Sequence, residues 1–260
     1  MIHNIKSLSI AVCPSVADQH DKAMGLSRKL SIPLRPCETK EFEFLLQCSA
    51  NGLALKQTGK DALGPIVVNF TNRTMTYRVK HGGGRSQALA RAVGLKKGRQ
   101  PTVIDATAGL GRDGYILAFL GCHVHMLERS PILAVLLEDA LYRAEQSEQA
   151  AEIIKNRLLF THIDSKMYLE KLRQEEYPDV IYLDPMYPER SKSSLVKKEM
   201  RILRELAGDD QDAAELFTIA IGCVQNRVVV KRPRLAPPLG SIKPSHQITG
   251  KTSRFDIYLI

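Results

Sequence analysis

The chain has 260 residues, a hydrophobic content of 44%, a charged content of 25% and a formal net charge of +9. That is enough chain for a sizeable core, in one large domain or a domain with a smaller appendage, and the balance reads as an ordinary soluble protein. No apolar run is long enough to span a bilayer, and S-L-S-I-A-V-C-P near the start is too short and too lightly charged for a signal peptide, so a cytoplasmic location without a membrane partner is expected.

Residues 1–80 read as a small unit of mainly β structure with one helix. S-L-S-I-A-V-C-P is a strand candidate, and a helix is expected around Asp18 to Lys29. F-E-F-L-L-Q-C-S-A-N-G-L-A-L-K-Q places Asn51-Gly52 between apolar runs, a strong short-range hairpin cue. G-P-I-V-V-N-F and T-M-T-Y-R-V are further strand candidates. H-G-G-G-R, His81 to Arg85, is either a linker or a stretch of bare backbone that, with Arg85 at a helix start, clamps a phosphate or shapes a substrate entrance. The short helix S-Q-A-L-A-R-A-V-G follows it.

From Pro101 strands and helices alternate. T-V-I-D, H-V-H-M-L-E, R-L-L-F-T-H and D-V-I-Y-L-D are strands; R-D-G-Y-I-L-A-F-L, P-I-L-A-V-L-L-E-D-A-L-Y-R-A and S-K-M-Y-L-E-K-L are helices, the second with Pro131 at a helix-starting position. This alternation predicts an α/β fold over residues 81–260, a doubly wound and mostly parallel sheet whose ligands bind at the carboxyl ends of its strands. Asp105, Glu128, Asp164 and Asp184 all fall at such ends. The five cysteines are scattered, with no C-x-x-C pair, and read as buried or incidental thiols with no metal site among them.

Two long segments carry no acid. Between Asp61 and Asp105 every charge is basic, and the same holds between Glu215 and Asp256. Such segments suit a polyanionic partner, because each neutralised phosphate releases counterions.

The loop D-A-T-A-G-L-G-R-D-G, Asp105 to Gly114, contains G-x-G-x-x-G. Glycines at a strand-to-helix turn, here Gly109 and Gly111, let a ligand approach backbone closely, but the pattern alone does not choose the ligand. Glu128, some twenty positions on, can accept hydrogen bonds from a ribose diol in a nicotinamide or an S-adenosylmethionine enzyme alike. Two features separate the classes. Asp105 would repel a pyrophosphate and suit a cofactor with a cationic amino group. The fourth strand ends in Y-L-D-P-M-Y-P, where Pro185 keeps Asp184 out of helical geometry and sets a carboxylate beside an aromatic ring. A nucleobase amine is a poor nucleophile because its lone pair is delocalised. Asp184 can accept its N–H bonds, or its proton, while Tyr187 stacks on the base.

D-A-T-A-G-L-G-R-D, M-L-E-R-S-P, Y-L-D-P-M-Y-P, S-L-V-K-K-E-M-R, V-V-V-K-R-P and R-F-D-I-Y together resemble the bacterial 16S ribosomal RNA guanine-N2 methyltransferase J family, in order from about His81 to the C-terminus. The resemblance implies a class I, Rossmann-like methyltransferase fold, S-adenosylmethionine as donor and one guanine of 16S ribosomal RNA, free or in the 30S subunit, as target. It also implies cofactor contacts from Arg112, Asp113, Glu128, Arg129, Asp164, Ser165 and Asp184. The chain departs from the wider amino-methyltransferase signature at Met186, where that signature has a second proline. Lys192, Lys197, Lys198 and Arg201, just past the active loop, and Lys231 and Arg232 after a buried strand are expected to hold phosphates flanking a flipped base.

The rival readings are a nicotinamide-dependent oxidoreductase, a non-catalytic RNA-binding module and, within the enzyme class, a DNA adenine or protein glutamine methyltransferase. Differential scanning fluorimetry separates the first of these: S-adenosylhomocysteine should raise the melting temperature and NAD should leave it unchanged.

Overall fold

The computed structural model describes residues 9–60, 62, 64–81, 84–186, 202, 206 and 212–260. A three-stranded sheet is built from β1 (Ile10–Pro14), β2 (Phe44–Ser49) and β3 (Gly52–Gln57), with β1 parallel to β2 and β2–β3 forming the expected hairpin across Asn51-Gly52. Helix α1 (His20–Leu30) packs on it.

A seven-stranded sheet follows from β4 (Thr102–Asp105), β5 (His123–Glu128), β6 (Leu158–His162), β7 (Val180–Leu183), β8 (Arg227–Pro233), β9 (His246–Thr249) and β10 (Ser253–Leu259). Its order is β6-β5-β4-β7-β8-β10-β9, parallel through β8, with β10 antiparallel to both of its neighbours. The chain leaves β4 in one direction to β5 and β6 and returns on the other side with β7. The carboxyl ends of β4 and β7 therefore flank a topological switch point, where open α/β sheets bind ligands.

Both faces of this sheet are covered, which is why its strands read as apolar runs. Val103, Val180 and Val229 face a core shared with α3 (Ala88–Ala92), α4 (Arg112–Leu120), α5 (Pro131–Glu145) and α6 (Ala151–Arg157). Ile104, Ile181, Val228 and Val230 face the other way, towards α7 (Ser165–Leu169) and α8 (Ala213–Gly222). Among the described residues no helix is long and apolar enough to cross a membrane.

Two expectations for the N-terminal region change. T-M-T-Y-R-V lies in a helix, α2 (Arg73–His81), because the Asn72 side chain accepts the Met75 N–H at 2.7 Å and starts a helix that β-branched propensity alone argues against. G-P-I-V-V-N-F contributes a single bridge, Ile66 to Leu55. The cysteines also differ from expectation: Cys13 and Cys37 form a disulfide with Cα atoms 5.2 Å apart, while Cys48, Cys122 and Cys223 are free and buried. Their separation of 24 residues gave no spacing cue; β1 and the turn after Pro36 bring them together.

The small sheet rests on the large one through a continuous core in which Ile10, Val12, Phe44 and Leu46 join Tyr115 and Leu137. Phe70 stacks on Tyr115 with ring centroids 4.6 Å apart. Asp139 of α5 is the polar tie. It accepts the Leu53 N–H at 2.9 Å, Lys22 Nζ at 3.0 Å and Arg143 Nε at 2.8 Å, while only 7% of its side chain is exposed. Gly52 is held at φ +108°, and a Cβ there would lie 2.6 Å from the Asp139 carboxylate, so the hairpin glycine serves the contact as well as the turn.

Burial alone would raise the Asp139 pKa, but the Leu53 amide, Arg143 and Lys22 outweigh it and leave it below the usual carboxylate value. Its contribution to stability is complete above the unfolded-state pKa and lost as pH falls through the lowered folded-state one. Asp139→Ala should cost ~2–4 kcal/mol, since three donors lose a largely buried acceptor. Urea unfolding at neutral and at acid pH checks this, with the wild-type advantage shrinking in acid.

Candidate active site

The loop leaving β4 wraps a cleft over the switch point. Gly109 (φ +56°) and Gly111 (φ +69°) take left-handed backbone that a side chain would strain, and Gly111 starts α4. A Cβ on Gly111 would meet Leu137 Cδ1 at 2.6 Å, so this glycine is required by packing. One on Gly109 would meet nothing nearer than the Thr107 carbonyl at 4.0 Å, so Gly109 leaves open a face where a ligand can lie against backbone.

Glu128, at the tip of β5, forms part of the cleft wall. One carboxylate oxygen accepts the Gly109 N–H at 2.8 Å and the other the Ser130 N–H at 2.7 Å. The acid thereby fixes the glycine loop against the start of the next helix. Asp164 caps α7 through the Lys166 N–H at 2.9 Å, and Ser165 Oγ donates to the Ala106 carbonyl at 2.6 Å. Arg129 grips both oxygens of Asp212 at 2.9 and 3.0 Å, and Lys166 joins the same carboxylate at 3.0 Å. All of these line the cleft, with Leu127, Leu133 and Leu216 as its apolar wall.

Beside the cleft, four charged groups meet. Lys231 Nζ donates to Asp184 Oδ2 at 2.7 Å and to Asp113 Oδ2 at 2.8 Å. The Tyr182 hydroxyl donates to that same Asp113 oxygen at 2.8 Å, and Arg78 reaches its other oxygen at 3.0 Å. The Asp184 N–H donates to Thr107 Oγ1 at 2.6 Å, tying the ends of β7 and β4. Burial opposes the charge on Lys231, but Asp184 and Asp113 outweigh it and raise its pKa above the ordinary lysine value. Burial likewise opposes ionisation of Asp113; Lys231, Arg78 and the tyrosine hydroxyl reverse the balance and lower its pKa. Asp184 is 40% exposed and faces the cleft.

The fold gathers Gly109, Glu128, Arg129, Asp164, Ser165 and Asp184 around one opening. It corrects other placements. Asp105 is 2% exposed and lies beneath the loop, out of the cleft. Burial and then the neighbouring Asp113 push its pKa up to about 8, so it is neutral at pH 7 and cannot pair with a cationic amine. Gly111, Arg112 and Asp113 do not line the cleft; Arg112 is exposed and Asp113 is spent on Lys231, Arg78 and Tyr182. Lys231 is in the site rather than on a phosphate-binding surface. Arg232 is 5% exposed and turned inward, donating to the Pro237 carbonyl. Arg85 is exposed but sits beside Gly121 and Cys122, at the amino end of β5 and the opposite edge of the sheet. Tyr187, Lys192, Lys197, Lys198 and Arg201 lie outside the described residues.

Sequence reasoning missed the role of Lys231, and those of Thr107, Tyr182 and Arg78. The available signal for Lys231 was its place directly after V-V-V, where a buried parallel strand reaches the functional edge.

A glycine loop with one open backbone face, an acid at the strand end and an apolar wall fit an adenosyl cofactor, and the chain falls in the class of S-adenosylmethionine-dependent methyltransferases. The family model "Putative SAM-dependent methyltransferase" matches residues 27–260. A crystal structure of a SAM-dependent methyltransferase from Neisseria gonorrhoeae superposes with a TM-score of 0.72 at 33% identity, covering 96% of this chain and 95% of that one. Proteins named ribosomal RNA small subunit methyltransferase J are similar over nearly the whole length. That of Thioalkalivibrio sulfidiphilus is 49% identical over 93% of this chain and 94% of its own. That of Coxiella burnetii (strain RSA 331 / Henzerling II) is 45% identical over 97% of each. The chain belongs to the ribosomal RNA small subunit methyltransferase J family.

The folded protein holds a proton on Asp105 that the unfolded chain releases near pH 4, so stability should fall as pH rises from about 4 towards 8. Asp105→Asn should flatten that slope in urea titrations and change S-adenosylhomocysteine affinity less than about threefold, because the side chain is neutral and out of the cleft.

Proposed function

We propose that this enzyme methylates the exocyclic N2 amine of one guanine in small-subunit ribosomal RNA, with Asp184 as the group that orients the amine. The observation that carries this reading is the state of Asp184. It is a half-exposed carboxylate at the cleft, held from behind by Lys231 Nζ, on a backbone whose N–H is fixed by the Thr107 hydroxyl. The target chemistry follows from the D-P-M-Y segment, and the RNA from the names of the relatives.

S-adenosylmethionine supplies a methyl group on a sulfonium whose leaving group is already in place. Glu128, at the cleft wall, would face the ribose hydroxyls, and Asp164 and Ser165 would line the far wall. Asp184 accepts an amine N–H, which localises the nitrogen lone pair and points it into the cleft. Once the new C–N bond forms, the nitrogen carries an excess proton and is a strong acid. No strong base is needed, and Asp184, its negative charge shared with Lys231, passes that proton to water at its exposed side. Lys231 holds the carboxylate in place from behind.

The first experiment is transfer of labelled methyl to small subunits, and to their deproteinised RNA, from cells lacking this protein. Label on N2 of a single guanine is expected, with none on fully modified material. Asp184→Ala should lower turnover ~10²-fold or more, while thermal stabilisation by S-adenosylhomocysteine persists. Turnover within a few-fold of wild type would remove Asp184 from the mechanism.

A further inference from the structure

Leu235 is 93% exposed, the most exposed large hydrophobic side chain among the described residues. A lone surface leucine needs no explanation; the frame beneath this one does. β7 and β8 pair with Leu183 opposite Val230, so Lys231 is level with Asp184 and the chain turns two residues further on, above the functional edge of the sheet. The Ala236 N–H donates to the Pro233 carbonyl at 3.0 Å and closes that turn with Leu235 at its tip.

Three buried charges hold this turn. Arg232 donates to the Pro237 carbonyl at 3.0 and 3.2 Å, and Arg254 donates to the Arg234 carbonyl at 2.8 Å. The two arginines are directly opposed across β8 and β10 and are 5% and 6% exposed. Like charges so placed repel, and Asp256, fully buried and gripped by Arg254 at 2.8 and 3.0 Å, neutralises one of the two. Burying charge is costly. What these guanidinium groups share is the pair of carbonyls on either side of Leu235. A surface turn is ordinarily soft; this one is anchored on both sides by buried guanidinium groups, and its tip is apolar.

The surroundings name the occupant. Arg234 and Lys251 are exposed next to the tip, the Arg234 N–H being bound to the Thr252 carbonyl, and no acid occurs between Glu215 and Asp256. An apolar tip flanked by exposed basic side chains, on a segment that carries no acid, suits a polyanion with a stacked apolar interior, which is RNA. Leu235 follows Lys231 by four residues, at most about 13 Å of extended chain.

We infer that Leu235 is a wedge that enters the RNA stack beside the target guanine and holds it open while that base lies in the cleft. The inference rests on the reading of the enzyme as an RNA methyltransferase. Apolar side chains are used in this way where a base must leave its stack.

The test compares Leu235→Ala and Leu235→Met with wild type on intact small subunits, on deproteinised folded RNA and on a short unpaired oligonucleotide carrying the target guanine. Unstacking is needed only in folded RNA, so L235A should lower kcat/KM about tenfold there and less than about threefold on the oligonucleotide, with L235M near wild type. Fluorescence of 2-aminopurine at the target position should rise with wild type and much less with L235A. L235A activity within about twofold of wild type on folded RNA overturns the wedge, as does an equal loss on folded and unpaired substrates. A loss confined to intact subunits also overturns it and assigns Leu235 to a protein contact. Wild type that methylates none of these RNAs overturns the reading of function beneath it, an outcome distinct from the rest.

Discussion

Everything at the functional edge depends on one cation placed among acids. Three aspartates, Asp105, Asp113 and Asp184, converge where β4, β7 and α4 meet, and three negative charges there would repel one another. Lys231 settles the cluster by donating to two of them, and Asp105 settles its own share by remaining protonated. The outcome is one partly exposed carboxylate, at Asp184, paired with a lysine and fixed in position. Because Asp113 belongs to α4, Tyr182 to β7 and Lys231 to β8, the same ion cluster also sets the glycine loop relative to the loop after β7. Moving any one of these elements would leave a buried charge unmatched, which costs several kcal/mol.

The N-terminal sheet extends this constraint. It shares a core with one face of the large sheet and meets α5 through Asp139, and Phe70 stacks on the α4 tyrosine just behind the loop. Arg78 then carries α2 across to Asp113. The small unit is therefore a brace that reaches the charged cluster directly. On the opposite flank, Arg232, Arg254 and Asp256 brace the turn after β8. The cleft has a rigid support on each side, as transfer chemistry that relies on positioning requires.

Much of the fold could be read from local pattern. The βα alternation after Pro101, the Asn51-Gly52 hairpin, the helix after Asp18 and the glycine loop all reflect short-range rules: apolar periodicity, turn chemistry and the backbone freedom of glycine. That Glu128, Asp164 and Asp184 would meet at one cleft was legible for the same reason, since the carboxyl ends of strands in a parallel sheet converge on its binding edge. Where two local signals disagreed the reading failed. Residues 73–81 carry β-favouring side chains, but an asparagine cap and the need to lay Met75 against the core made them helical.

Charge was the least legible property. Arg85, Lys231 and Arg232 are equivalent members of acid-free runs in the sequence, and the fold sends them to three different fates: the far edge of the sheet, the heart of the site and a buried frame. The sequence by itself determined the class of fold, the loop that admits a cofactor and the carboxylates at the strand ends, because each is written in residues close together in the chain. Only the tertiary structure decided which aspartate stays charged, which lysine keeps it so and which arginines are buried. Those outcomes depend on what lies across a strand or on the next element, tens of residues away, and on whether water can reach it.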